Sequence, residues 1–309
     1  MESSLRQRLT ISLPARPVID QPRGRVRRIT VEPPGQDRLD ALVGIPDEPQ
    51  GLTFYFVGFN QSMGPWEAAK CALWAAYSHT TVVSCELPGF SRYGKGLPRH
   101  IRRDLMADDP SSWASLTWTY LRSAAAAAKV PIPDQTSVLG FSTGCSLAAA
   151  ALPAIQAACS VSTLTLVEPV ALGQRFIGRL AVHNVIDFLR IIGTAPRNRP
   201  SPWVWRALHH QTRAPGVRYS PADFLALITL LSGDDTQARL SAADLPLTNL
   251  ARGTRSKLCP GAGFTELDTR LASRNIAGTT CMIAGFGHQL WHCMPAIDAL
   301  ARTLFPAEN

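Results

Sequence analysis

The residue whose setting most directly suggests chemistry is Ser142, in the run Thr136-Ser137-Val138-Leu139-Gly140-Phe141-Ser142-Thr143-Gly144-Cys145-Ser146-Leu147. An apolar, partly β-branched segment enters Gly-x-Ser-x-Gly, and an Ala/Leu segment follows with no proline until Pro153. This spacing predicts a strand, a sharp turn and a helix. A serine at the tip of such a turn occupies uncommon backbone, and only small neighbours such as Gly140 and Gly144 let strand and helix approach closely enough to hold it. The turn presents the Ser142 hydroxyl as a nucleophile at the open end of a sheet. It also puts the Thr143 amide at a helix N-terminus, where developing negative charge is favoured. The competing reading is an ordinary glycine-rich strand-to-helix turn.

A chain of 309 residues with 46% hydrophobic content can bury one large α/β core carrying an inserted subdomain, which we favour over two modest domains. Its formal charge of +8 comes mostly from scattered arginines. The densest group is Arg6, Arg8, Arg16, Arg23, Arg25, Arg27 and Arg28, which reads as a basic N-terminal arm. No interleaved aromatics or nucleic-acid motif accompany it, so no nucleic-acid partner is expected. The seven cysteines are odd in number and include no Cys-x-x-Cys, the usage of buried free thiols in a reducing compartment. No apolar segment follows Arg6 and Arg8 as in a signal peptide, and no apolar run is long enough to span a membrane. The expectation is a soluble cytoplasmic protein acting on a small molecule. No metal-ligand spacing or phosphate-binding loop occurs, so no metal and no cofactor are expected. The oligomeric state is not legible.

Residues 1–24 read as an extended arm, rich in proline and charge. Residues 26–31 and 39–45 alternate as two strands of a hairpin, and 51–59 and 80–87 are apolar runs typical of strands buried on both faces. Helices are predicted over 66–78 and 111–130. The segment 136–144 is the central strand with its turn, followed by a helix to about 158 and a strand at 163–168. Strands alternating with helices imply a mostly parallel sheet covered on both sides. The rhythm breaks at 171–245, which reads as helical and as an inserted lid over the strand ends, with a packing subdomain as the plainer alternative. Strands resume at 247–252 and 279–284, and Gly285-Phe286-Gly287-His288-Gln289 leads into a closing helix. The domain reading is therefore an arm at 1–24, a core at 25–170, a lid at 171–245 and the rest of the core at 246–309.

This order of motifs resembles the α/β-hydrolase superfamily over roughly residues 25–305. The resemblance implies the α/β-hydrolase fold, with a mostly parallel central sheet, an N-terminal hairpin and a helical lid. By position it makes Ser142 the nucleophile and His288 the general base that also protonates the leaving group. His292, four residues further on, is the rival histidine. Val57-Gly58-Phe59-Asn60-Gln61-Ser62 is similar to the family's oxyanion loop, with valine where histidine is usual. The amides of Phe59 and Thr143 would be the oxyanion donors. Asn60 would bind substrate through its side chain or cap the next segment. The acid departs from the common pattern: Ser256 and Lys257 stand where the family usually carries it. Glu168, at the family's second location, becomes the candidate, with capping of the lid or pairing with a lid arginine as its competing roles. Glu266, Asp268, Glu86 and Asp235 remain alternatives, as does a Ser-His dyad.

The resulting expectation is a serine hydrolase cleaving an ester, thioester or lactone through an acyl-enzyme. Phe176, Ile177, Leu180, Phe188, Leu189, Trp203, Trp205 and Phe224 in the lid suggest an apolar or aromatic acyl group, with Trp203 and Trp205 as substrate-binding candidates. The same residues would also serve merely to pack a lid. The alternatives are a non-hydrolytic or C–C bond-cleaving enzyme on the same scaffold, and a ligand-binding pseudo-hydrolase.

Overall fold

We describe residues 6–13, 24–176, 178, 180, 182, 183, 186, 218–233 and 235–306 of a computed structural model. They build one nine-stranded sheet: β1 (Gln7–Ile11), β2 (Arg25–Val31), β3 (Leu39–Ile45), β4 (Gly51–Phe56), β5 (Thr80–Cys85), β6 (Gln135–Phe141), β7 (Ser160–Val167), β8 (Leu247–Gly253) and β9 (Thr279–Ile283). The order across the sheet is β1-β9-β8-β7-β6-β4-β5-β3-β2. The β2–β3 and β3–β5 pairs are antiparallel and all other pairs parallel. The central strands are buried on both faces, as their continuous apolar runs require: Phe54, Phe56, Val83, Leu164 and Leu166 are fully enclosed.

The helices are α1 (Pro65–Ser78), α2 (Arg99–Met106), α3 (Ser111–Ala127), α4 (Thr143–Gln156), α5 (Pro221–Ser232), α6 (Asp235–Ala242), α7 (Gly261–Ser273) and α8 (Met294–Leu304). A short 3₁₀ turn, His288–His292, precedes α8. Chain order reverses at β4: β5 lies on one side of it and β6 on the other. In open α/β sheets the crevice beyond the carboxyl ends of such strands is where ligands bind. The loop after β4 and the turn after β6 therefore share the place where a site is expected.

The expected arm contains a strand. Residues 7–11 add β1 to the sheet edge, parallel to β9. Two of the arm's arginines are consumed in pinning it: Arg6 and Arg8 each donate through Nε to Asp268, both at 2.6 Å. Helices α2 and α7 appear where the sequence reading placed none. Of the expected lid, the described residues contain α5 and α6, both packed into the apolar core through Leu227, Leu230 and Leu240. Ser220 caps α5 in a full capping box with Asp223. Ile177, Phe188, Leu189, Trp203 and Trp205 lie outside the described residues.

Candidate active site

The turn after β6 has the backbone that its sequence demands. Ser142 sits at φ 54°, ψ −121°, a conformation costly for a non-glycine residue. It is held by the Ser142 amide on the Val167 carbonyl (3.0 Å) and by the Cys145 amide on the Ser142 carbonyl (2.9 Å). Glycine at 144 is a steric necessity, because a Cβ there would lie 2.0 Å from the Phe56 carbonyl oxygen and 2.7 Å from that of Val57. The same contact presses the first turn of α4 against the end of β4. That brings the loop carrying Gly58 and Phe59 alongside the turn carrying Ser142 and Thr143. A Cβ on Gly58 would meet the Phe141 ring at 2.7 Å.

Ser142, His288 and Glu168 form a continuous buried chain of contacts. Ser142 Oγ lies 2.8 Å from His288 Nε2, and His288 Nδ1 lies 2.9 Å from Glu168 Oε2. Relative exposures are 8% for Ser142, 7% for His288 and 0% for Glu168. A carboxylate can only accept, so the imidazole proton belongs on Nδ1 and Nε2 is left to accept from the serine hydroxyl. The His288 ring is stacked on Phe141, with centroids 5.3 Å apart.

Glu168 follows β7 directly, at φ 55°, and its amide still bonds the Ala251 carbonyl of β8 at 2.7 Å. The turn after β8 holds its side chain. The Gly253 amide donates to Oε1 and the Ser256 hydroxyl to Oε2, each at 2.5 Å. Ser256 stands at the position where an acid is expected, and it supports Glu168 by hydrogen bonding. That turn is in turn stitched to the loop bearing His288. The Arg255 amide bonds the Phe286 carbonyl (2.7 Å), and the Gly285 amide bonds Thr254 Oγ1 (3.0 Å).

The rival residues stand elsewhere. His292 touches the edge of Phe141 and lies 3.4 Å, Nε2 to Nε2, from the Gln61 side chain. Burial, reinforced by Lys70 and His288, holds it well below the ordinary histidine range. Asp268 anchors β1. Burial alone would raise its carboxyl, but hydrogen bonds from Thr280, Arg6 and Arg8 outweigh that and hold it below its ordinary value. Glu266 pairs with Arg270 on an exposed face, and Asp235 with Arg239. Glu86 is buried beyond β5 against the amides of Asp40 and Arg92. Asn60 is solvent-exposed, with φ 63°.

Three features escaped the sequence reading. The Thr143 hydroxyl is fully buried beside Ser142 with no hydrogen-bond partner among the described residues. Phe59 sits in a cluster with Phe90, Tyr219 and Phe224, at centroid distances of 5.2–5.7 Å. A buried Glu67–Lys70 pair lies under the loop after β4. Glu67 and Lys70 are at helical i,i+3 spacing, which by itself reads as a solvent-facing pair.

No family model matches the sequence, and no curated protein matches it. Solved structures do. The chain is similar to a thermostable carboxyl esterase from Bacillus coagulans (13% identity, 91% of this chain and 97% of that one, TM-score 0.58). It is also similar to the thioesterase domain from the curacin biosynthetic pathway (17% identity, 90% and 99%, TM-score 0.56), and to a thermostable esterase from Pseudomonas putida (15% identity, 93% and 83%, TM-score 0.51). The chain has the α/β-hydrolase fold, as the resemblance implied. Among the described residues, no helix is long and apolar enough to cross a membrane, and all seven cysteines are free.

Proposed function

We propose that this protein is a serine hydrolase that cleaves an ester, thioester or lactone of an apolar acyl substrate through an acyl-enzyme. One observation carries the reading: the unbroken chain of contacts from Ser142 Oγ through His288 to Glu168, at 2.8 and 2.9 Å in a buried setting. Ser142 Oγ attacks the carbonyl carbon as its proton passes to His288 Nε2. The resulting oxyanion is held by the amides of Phe59 and Thr143. His288, now an imidazolium balanced by Glu168, gives that proton to the departing alcohol or thiol as the C–O or C–S bond breaks. Water then repeats the sequence on the acyl-enzyme: it loses a proton to His288 and releases the acid and free Ser142. The rings of Phe59, Phe90, Tyr219 and Phe224 beside the oxyanion loop support an apolar acyl group. The esterase and thioesterase neighbours are consistent with this chemistry.

The test is to treat the purified protein with a fluorophosphonate and measure its intact mass, beside Ser142→Ala and His288→Ala. The expected result is one stoichiometric adduct, absent in Ser142→Ala and slowed by orders of magnitude in His288→Ala. A folded protein that takes no adduct and turns over no activated ester would overturn the reading and favour non-hydrolytic chemistry on this fold.

A further inference from the structure

A second polar assembly lies behind the Ser142–His288–Glu168 chain of contacts, separated from it by one aromatic ring. Glu67 and Lys70, one turn apart on α1, form an ion pair whose side chains are 1% and 0% exposed. Their remaining contacts run outward. Tyr55 Oη donates to Glu67 Oε2 at 3.2 Å, and Trp291 Nε1 donates to Tyr55 Oη at 2.7 Å. Lys70 Nζ donates to Gln61 Oε1 at 3.2 Å, and Gln61 Nε2 lies 3.4 Å from His292 Nε2. Lys70 Nζ also stands 5.8 Å from the centre of the Phe141 ring, which is stacked on both His288 and Trp291.

These contacts have a direction. Ammonium only donates, so the Gln61 atom facing Lys70 is its carbonyl oxygen and its amide nitrogen is left to face His292. That nitrogen donates, so His292 Nε2 must accept, which makes His292 a neutral imidazole with its proton on Nδ1. The Lys70 charge thus sets the orientation of Gln61, and Gln61 sets the tautomer of His292. Gln61 belongs to the loop carrying Phe59, while Trp291 and His292 belong to the 3₁₀ turn that begins at His288. The pair grips the oxyanion loop on one side and the base-bearing turn on the other, with the Phe141 ring of the serine turn between them.

Stability does not call for such an arrangement. Removing two charges from water costs several kcal/mol each, and apolar side chains of similar volume often serve a core equally well or better. We infer that Glu67 and Lys70 are positioning residues that hold the Phe59 loop and the His288 turn in register with Ser142, acting through Gln61, His292 and Trp291. This rests on the hydrolase reading above. Both side chains are sealed from solvent, so neither is offered to a substrate. Their effect falls on the chemical step, where small displacements of an oxyanion donor or a base are costly.

The experiment measures kcat and KM on a p-nitrophenyl ester, together with the rate of fluorophosphonate labelling. The variants are Glu67→Gln/Lys70→Met, which removes both charges and keeps an acceptor for Tyr55, and Gln61→Met, which strands no buried charge. In each we expect kcat and labelling rate to fall about tenfold with KM within twofold of the parent. Combining all three substitutions should cost little more than either alone, because they act along one chain of contacts. Gln61→Met is the decisive arm should the double variant fail to fold. Parent-like kcat in Gln61→Met, a loss confined to KM, or full additivity would overturn the inference while leaving the hydrolase reading intact. A parent protein that never labels would instead defeat the hydrolase reading, and this inference with it.

Discussion

Glu86 and Glu168 are the same residue type at equivalent positions on two different strands, with β4 and β6 between them. Each is the first residue after a buried strand, β5 or β7, each is fully enclosed, and each is followed within two residues by a proline. Their neighbours divide them. Glu168 meets the Gly253 amide, the Ser256 hydroxyl and His288, with no second carboxylate in hydrogen-bond contact among the described residues. Glu86 is held by the amides of Asp40 and Arg92, next to a second buried carboxylate. Asp40 has already taken the strong donors there: it pairs with Arg28, receives Arg92 Nη2 at 3.0 Å and Tyr93 Oη at 3.2 Å. Burial and the Asp40 charge therefore push the Glu86 carboxyl up to about 7. A buried carboxylate becomes a partner for an imidazole, or a structural post for a loop, according to which donors the adjacent strand ends supply.

The largest expected effect comes from spoiling the Glu168 side. Glu168→Gln keeps the size of the side chain but can turn an amide NH₂ toward His288 Nδ1, which favours the tautomer with its proton on Nε2 and denies the serine its base. We expect kcat on an activated ester to fall about 10³–10⁴-fold with a near-parent far-UV spectrum. A loss below tenfold would mean that Glu168 is as structural as Glu86. Next in size is Ser256→Ala, which removes one charge-assisted hydrogen bond and leaves the Gly253 amide in place. Such a bond is worth about 1.5–3 kcal/mol, so kcat should drop about 10–100-fold with KM little changed. Parent-like kcat would show that Gly253 alone orients the acid.

The contrast between the two glutamates was only partly legible in the sequence, and the reason is the range over which each interaction acts. The serine turn could be read directly because strand, glycines and helix are contiguous. The β2–β3 hairpin was legible for the same reason. Glu168 and His288 are 120 residues apart and Glu168 and Ser256 are 88 apart, so the support of the acid depends on β7 lying beside β8, which no local pattern states. Strand β1 was hidden in the same way, because a strand of only five residues beside several prolines finds its partner in β9 at the far end of the chain. Helix α7 carries a local signal: its buried Phe264, Leu267 and Leu271 follow an i, i+3, i+7 spacing. Helix α2 left little, since only Ile101 and Leu105 are buried among charged neighbours.

The finest test of the contrast is Glu86→Gln, read on stability as a function of pH. A free glutamate titrates near 4.5, whereas buried Glu86 titrates at about 7. Between these values the folded protein binds a proton that the unfolded chain has already lost, so stability falls as pH rises through this window. The contribution is fully present below about 4.5 and gone above about 7; at 1.36 kcal/mol per pH unit it amounts to about 3 kcal/mol. Glutamine does not titrate, so whatever the absolute stability of Glu86→Gln, its Tm should decline less than that of the parent between pH 4.5 and 7. Because Glu86 lies outside the Ser142–His288–Glu168 chain of contacts, kcat should stay within about threefold. Parallel Tm curves would mean that Glu86 ionises as an ordinary carboxylate, which would remove the electrostatic half of the contrast. A kcat loss approaching that of Glu168→Gln would show that the Leu87–Phe90 turn, whose Phe90 ring packs on Phe59 at 5.3 Å, carries the state of Glu86 into the loop after β4.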